Sequence, residues 1–209
     1  MSVVHALTEA IAAKDRETYH HCRRTARFAT ALAVGLELGE DRISEIRDAA
    51  LLHDVGKIAV PDDILHKPGL LTSREWEVMR RHSEAGAAIV AQAGMAETAL
   101  WIRHLHERLD GLGYPDGLAG DAIPFESRLL HAADAFEAMT SPRPYRNAAP
   151  VEDALLALEE SAGSQLDPLL ATQLAGLVRR GLLRLPKPRH IRRPTPVTSL
   201  VADASLATV

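Results

Sequence analysis

Apolar residues recur at helical spacing along most of the chain. Residues 3–14 read as a short helix, and residues 16–37 carry Cys22, Ala26, Ala29, Leu32 and Ala33 on one side before a stop near Gly39. Residues 41–53 repeat the pattern with Ile43, Ile46, Ala49, Ala50 and Leu52. It then breaks: Gly56, Pro61, Pro68 and Gly69 predict a long ordered loop with at most a turn or two of helix. Thr72 or Ser73 is the expected N-cap of a helix running to about residue 92, and another helix spans roughly 95–108. A loop with four glycines in ten residues follows, and further helices read at about 125–139, 151–161 and 168–181. No alternating strand pattern and no internal repeat is present, so the fold class expected is all-α, a single helical bundle with long ordered loops. One domain is expected over residues 1–185, with residues 186–209, rich in Pro and Arg, as a disordered C-terminal tail.

Composition narrows the class. Of 209 residues, 46% are hydrophobic and 25% charged, as in an ordinary globular protein, and only 4% are aromatic, which favours packed helices over a β-sandwich. The single cysteine, Cys22, excludes an internal disulfide framework and fits a reducing compartment. The charge-free stretch 85–96 is too short to span a bilayer. The N-terminus has no basic region before its apolar residues, so no signal peptide is expected and the location expected is cytoplasmic. A net charge of −4 supplies no field for a nucleic acid polymer. Ten histidines are the unusual feature and point towards metal chemistry.

The adjacent pair His53-Asp54 ends one helix and opens the loop that holds Gly56 and Lys57. A neutral imidazole and a carboxylate can bind one divalent cation, and a carboxylate can bridge two; a solvated helix end would carry the same pair. Glu17 and His21 share a helix face, with Arg24 a turn further on. His82 lies within a strongly helical segment. His106 and its neighbour two positions back, His104, should point in different directions and so not share an ion. Asp134 sits among alanines on an apolar helix, where a carboxylate is costly unless paired or metal-bound; His131, a turn before it, is a supporting partner or a bystander. Helical bundles build two-metal sites from residues spread in this way, and two such ions favour in-line phosphoryl displacement. The loop Asp110–Gly117 offers Tyr114 for stacking or hydrogen bonding, and Arg143 and Arg146 suit capture of phosphate. An ordinary solvent loop and a basic helix cap are the plain alternatives for these two.

These blocks together resemble the HD-GYP subgroup of the HD-domain metallophosphohydrolases. The resemblance runs from about Asp15 to Leu177: D-x-E-T-x-x-H-x-x-R (15–24), A-L-L-H-D-V-G-K-I-x-V-P (50–61), I-L-x-K-P-G-x-L-T (64–72), M-x-x-H-x-x-x-G (79–86), H-E-R-x-D-G-x-G-Y-P-D-G-L (106–118), A-D-A-F-E-A-M-T-S-x-R-P-Y-R (133–146) and A-G-S-Q-L-D-P (162–168). It implies an all-helical HD-type bundle around a metal centre of two or three divalent ions, commonly iron or manganese. The implied activity is metal-dependent hydrolysis of cyclic di-GMP to pGpG or GMP. His21, His53, Asp54 and Asp134 would hold one metal, Asp54 would bridge to a second held with His82 and His106, and Glu17 falls where members with a third metal carry a glutamate. Asp54 and Lys57 would be catalytic, and Lys57, Tyr114, Arg143 and Arg146 would contact substrate. A diguanylate cyclase domain of the GGDEF type at the Gly-Tyr-Pro loop and a homodimer are the implied protein partners. Two departures are visible: Leu105 stands where the family often has a histidine, and Glu137 where a common F-D-A-L-T has aspartate. A catalytically degenerate cyclic di-GMP-binding or partner-docking module, a phosphohydrolase for another cyclic dinucleotide or a nucleotide monophosphate, and oxidative chemistry at a di-iron site are the rival readings.

Overall fold

The computed structural model describes residues 2–142 and 148–183. Among them the order is α1 (Val3–Lys14), α2 (Arg16–Gly35), α3 (Glu40–Leu52), a 3₁₀ turn (Val55–Ala59), α4 (Asp62–Leu65), α5 (Ser73–Arg80), α6 (His82–Gln92), α7 (Ala96–Arg103), a 3₁₀ turn (Gly120–Ala122), α8 (Phe125–Thr140), α9 (Val151–Glu160) and α10 (Pro168–Arg179). Apart from one isolated bridge, Ala162 to Leu166, no β-structure occurs among the described residues. The all-α expectation is met. No described helix is long and apolar enough to cross a membrane. Arg143, Arg146 and the 186–209 tail lie outside the described residues.

The helix ends follow local chemistry. The Asp15 carboxylate accepts from the Glu17 and Thr18 amides and caps α2. Thr72 and Glu75 form a reciprocal capping box at α5, so of the two expected caps Thr72 is the one used. Asp167 caps α10, with Pro168 at its first position.

Two expected helices are shorter than the periodicity suggested. The helix read to residue 92 breaks at Arg81, because the His82 ring donates from Nδ1 to the Met79 carbonyl (2.7 Å) and Ser83 Oγ donates to the Arg80 carbonyl (3.0 Å). These side chains compete for the last carbonyls of α5, and α6 starts at His82. The helix read to 108 stops at Arg103, because the His106 carbonyl is claimed by the Tyr114 amide (3.2 Å). Gly113 packs so close that a Cβ there would lie 2.4 Å from the Arg108 nitrogen, leaving no room for a further helical turn. His104 and His106 therefore diverge on a turn rather than on a helix.

The core has two parts. The larger joins α2, α3, α8, α9 and α10 through residues such as Phe28, Leu32, Ile46, Leu130, Phe136, Leu155 and Leu174. Alanines on the facing sides (Ala29, Ala33, Ala49, Ala50, Ala132, Ala133) let these helices approach closely. The smaller joins Ile11, Leu52, Val55, Val90 and Ile102. Helix α8 is buried almost all round from Ser127 to Ala138. Its polar side chains in that stretch must find partners inside the protein or bind something.

Candidate metal centre

The buried polar side chains of α2, the His53–Lys57 corner, α6, the 104–107 turn and α8 converge. His21, His53 and Asp54 place ligand atoms within 4.8 Å of one another, a His/Asp cluster that could hold a divalent metal. The His21 and His53 Nε2 atoms are 3.2 Å apart. Asp134 Oδ1 is 2.9 Å from His21 Nε2 and 3.7 Å from His53 Nε2. At those distances Asp134 Oδ1 is buried and meets no hydrogen-bond geometry. Two nitrogens on one ion with bonds of about 2.1 Å stand about 3.0–3.4 Å apart, so the donor set fits a metal.

A second group lies beside the first. His82 Nε2 and His106 Nε2 are 3.1 Å apart, and His82 Nε2 is 3.5 Å from Asp54 Oδ1. The other Asp54 oxygen, Oδ2, is 3.6 Å from His53 Nε2 and 3.7 Å from His21 Nε2. One carboxylate thus faces both groups. The Lys57 ammonium, itself buried, donates to Asp54 Oδ2 at 2.8 Å.

Three of the rings are fixed by their other nitrogen. The Nδ1 of His53 and of His82 donates to the Ala50 carbonyl (2.8 Å) and to the Met79 carbonyl (2.7 Å). His21 Nδ1 meets Glu137 Oε2 at 2.5 Å. Each arrangement turns Nε2 towards the shared space. Glu137 is in turn held by the Arg24 Nε group and by Ser141 Oγ (2.6 Å).

The electrostatics divide in the same way. Burial works against the imidazolium of His21, but Asp134 and Glu137 outweigh it and raise its pKa to about 9. His53 is likewise opposed by burial and raised to about 9, chiefly by Asp54. His82 goes the other way: burial lowers it to about 4. His106 is also pushed well down, by burial and by His82. Against the pull of burial, Lys57 and the histidines hold Asp54 well below the usual carboxylate range, and His21 does the same for Asp134.

Of the residues singled out from sequence, the structure gathers His21, His53, Asp54, Lys57, His82, His106 and Asp134 here. Glu17 is exposed one turn before His21. Tyr114 stacks on His106 (4.9 Å between ring centres, 18° between planes). His104 turns away to Asp116 (2.9 Å). His131 binds the Glu107 carbonyl (3.0 Å). Leu105 is buried in the larger apolar core. In the sequence Glu137 stands out only as a departure from a motif, although it is, like Asp134, a carboxylate on an apolar alanine-rich helix. Beyond Tyr114 opens a cavity of about 430 Å³ lined in part by Trp76, Glu77, Arg80 and Arg108, none of them a site residue expected from the sequence.

The chain belongs to the HD domain family, whose signature matches residues 5–170. A cyclic di-GMP phosphodiesterase response regulator, RpfG, of Xanthomonas campestris is 42% identical over 166 residues, 78% of this chain and 44% of that protein. A 3′3′-cGAMP-specific phosphodiesterase of Vibrio cholerae is 38% identical over 175 residues, 82% of this chain and 34% of that protein. The chain therefore spans less than half the length of these relatives. Among solved structures, an HDG"Y"P protein from Bdellovibrio bacteriovorus superposes with a TM-score of 0.62 at 19% identity, over 77% of this chain and 52% of that one, and shares the fold.

Proposed function

We propose that this chain is a metal-dependent phosphodiesterase that hydrolyses a cyclic dinucleotide, cyclic di-GMP in the first place, to pGpG, GMP or both. The observation that carries the reading is the Asp54 carboxylate, with Oδ1 towards His82 and Oδ2 towards His21 and His53. In this reading His21, His53, Asp54 and Asp134 hold one divalent ion, and Asp54, His82 and His106 hold a second, with iron or manganese as the metals. When bound, such a pair lowers the pKa of water and neutralises charge on a transferring phosphoryl group. Glu17 belongs to a third ion by resemblance alone.

The protein's own part in the reaction is positioning and charge. Asp54 fixes the separation of the two groups. Lys57 stands beside it with a buried positive charge, placed to stabilise negative charge spreading over the phosphate as the bond to the 3′ oxygen breaks. Tyr114, stacked on His106, forms the wall where substrate enters. Arg143 and Arg146 take the role of phosphate contacts from the motif they share with the family. A second substrate, 3′3′-cGAMP, is favoured by the relative named for it.

The test is hydrolysis of cyclic di-GMP by protein purified without oxygen and supplied with manganese or ferrous iron. Asp54→Ala is expected to lose more than about 100-fold in turnover at every metal concentration, because it removes a donor from both groups. Near-normal activity in that variant would refute the mechanism.

A further inference from the structure

The cavity beyond Tyr114 has a lining that the hydrolytic centre does not use. Its volume, about 430 Å³, lies within the range of small-molecule sites, about 300–1,000 Å³. A series of flat groups leads into it from the centre. The His106 ring stacks on Tyr114, the Arg80 guanidinium lies 5.2 Å from the Tyr114 ring centre, and the same guanidinium lies 5.7 Å from the Trp76 ring centre. Aromatic rings and arginine planes are the platforms on which nucleobases stack. Two buried polar atoms of lining residues, Tyr114 Oη and His106 Nδ1, have no hydrogen-bond partner among the described residues. His106 is only 6% exposed.

The charges say which part of a nucleotide belongs here. Arg108 is already paired with Asp110 through two contacts, 3.0 and 2.6 Å. Arg80 is spread over two rings. Arg80 keeps its positive charge over those rings, and the one acidic side chain in the lining is Glu77, an exposed carboxylate with no ion pair or hydrogen bond among the described residues. A carboxylate repels phosphate, so the phosphates belong with Lys57 and the histidines, and the cavity is left for a base. Guanine offers N1–H and the N2 amino group side by side, two donors that a carboxylate accepts together. Adenine presents an acceptor, N1, at the same edge.

We infer that this cavity receives one purine base of the cyclic dinucleotide and that Glu77 makes it select guanine over adenine. The inference deepens the phosphodiesterase reading and rests on it for the identity of the substrate.

The chain has two tryptophans. Trp101 is buried in the core, whereas Trp76 lines the cavity, so quenching of tryptophan fluorescence reports occupancy without turnover. GMP and AMP carry the same phosphate and differ only in the base. Titrated into the manganese-loaded protein, GMP is expected to quench with a Kd about tenfold lower than AMP, the size of one good bidentate base contact. Glu77→Gln is expected to weaken GMP to the level of AMP, and Trp76→Phe to remove the quench. Glu77 is exposed and unpaired, so its substitution leaves the fold intact. Equal affinities in the wild type, an undiminished preference in Glu77→Gln, or a quench that survives Trp76→Phe would overturn the inference. Hydrolysis of cyclic di-GMP alongside any of those results would overturn it alone. A guanine preference that depends on Glu77, without hydrolysis, would support the base site and count against the phosphodiesterase reading.

Discussion

The two halves of the centre share one carboxylate and differ in nearly everything else. The half built on His21 and His53 is rich in anions: Asp134 and Glu137 press against His21, and Asp54 against His53, so both imidazoles hold protons more tightly than usual. The half built on His82 and His106 faces Asp54 and, at His106, Asp134, but burial outweighs them and drives both rings to the neutral form. The first half has charge to attract a cation but must release protons to take it. The second has its lone pairs ready but little charge. Asp54 links them, and Lys57 at 2.8 Å adds a counter-charge at the junction. On the proposed reading of one ion in each half, the two would load by different rules, and that difference can be tested.

The largest effect expected is on the second half, through backbone alone. At Gly56 a Cβ would lie 1.8 Å from the His82 carbonyl oxygen and 2.5 Å from the Gly86 nitrogen, both main-chain atoms. Gly56→Ala must therefore move the start of α6 and His82 with it. A stability loss of about 3 kcal/mol in urea unfolding is expected, the upper end of the usual cost of overpacking, together with loss of one metal equivalent. If metal content stays whole, His82 is not a ligand.

The next effect falls on the first half. Glu137→Gln removes the carboxylate at His21 Nδ1 and is expected to weaken metal binding there by about 10–100-fold. Glu137→Asp, the residue common in the family at this position, should recover part of the loss. Calorimetric titration with manganese would show one site weakened and the other unchanged. Equal weakening of both sites would mean that the halves are not separable.

The smallest effect is in protons. Ordinary histidine titrates near 6.5 and the first-half pair near 9. The sign follows from this: in the metal-free protein the raised values add stability fully present below about pH 6.5 and lost as pH rises through about 9. Metal binding at pH 7 should release more protons from the first half than from the second. Calorimetry in two buffers of different ionisation enthalpy counts them. Proton release shared equally by the two binding events would contradict the comparison.

Much of this was legible in the sequence, and for identifiable reasons. His53-Asp54 announces itself as a polar pair ending an apolar helix, and Asp134 as a carboxylate among alanines. The caps at Asp15, Thr72 and Asp167 are local chemistry that any reader of turns can find. What the sequence hid depends on which side chains take backbone carbonyls and on contacts between separate segments. The break at Arg81 comes from side chains taking backbone carbonyls, and no periodicity records it. The stop at Arg103 comes from Gly113 and Tyr114, ten or more residues away. Glu137 was visible by the same burial argument as Asp134 but was masked by its similarity to the aspartate of the motif. Trp76, Glu77 and Arg80 look like ordinary surface residues of an amphipathic helix until Tyr114 is folded against them. Leu105 reads as a missing ligand in sequence, whereas in the fold it packs into the apolar core.

The central claim is that Asp54 joins two metal sites into one hydrolytic centre. The most direct measurement is metal content and cyclic di-GMP turnover on the same anaerobically purified samples of wild type and Asp54→Ala. The account predicts two or more ions and turnover in the wild type, and loss of both metal and turnover in the variant. Tight nucleotide binding without turnover by a fully loaded wild type, or turnover undiminished in Asp54→Ala, would contradict it.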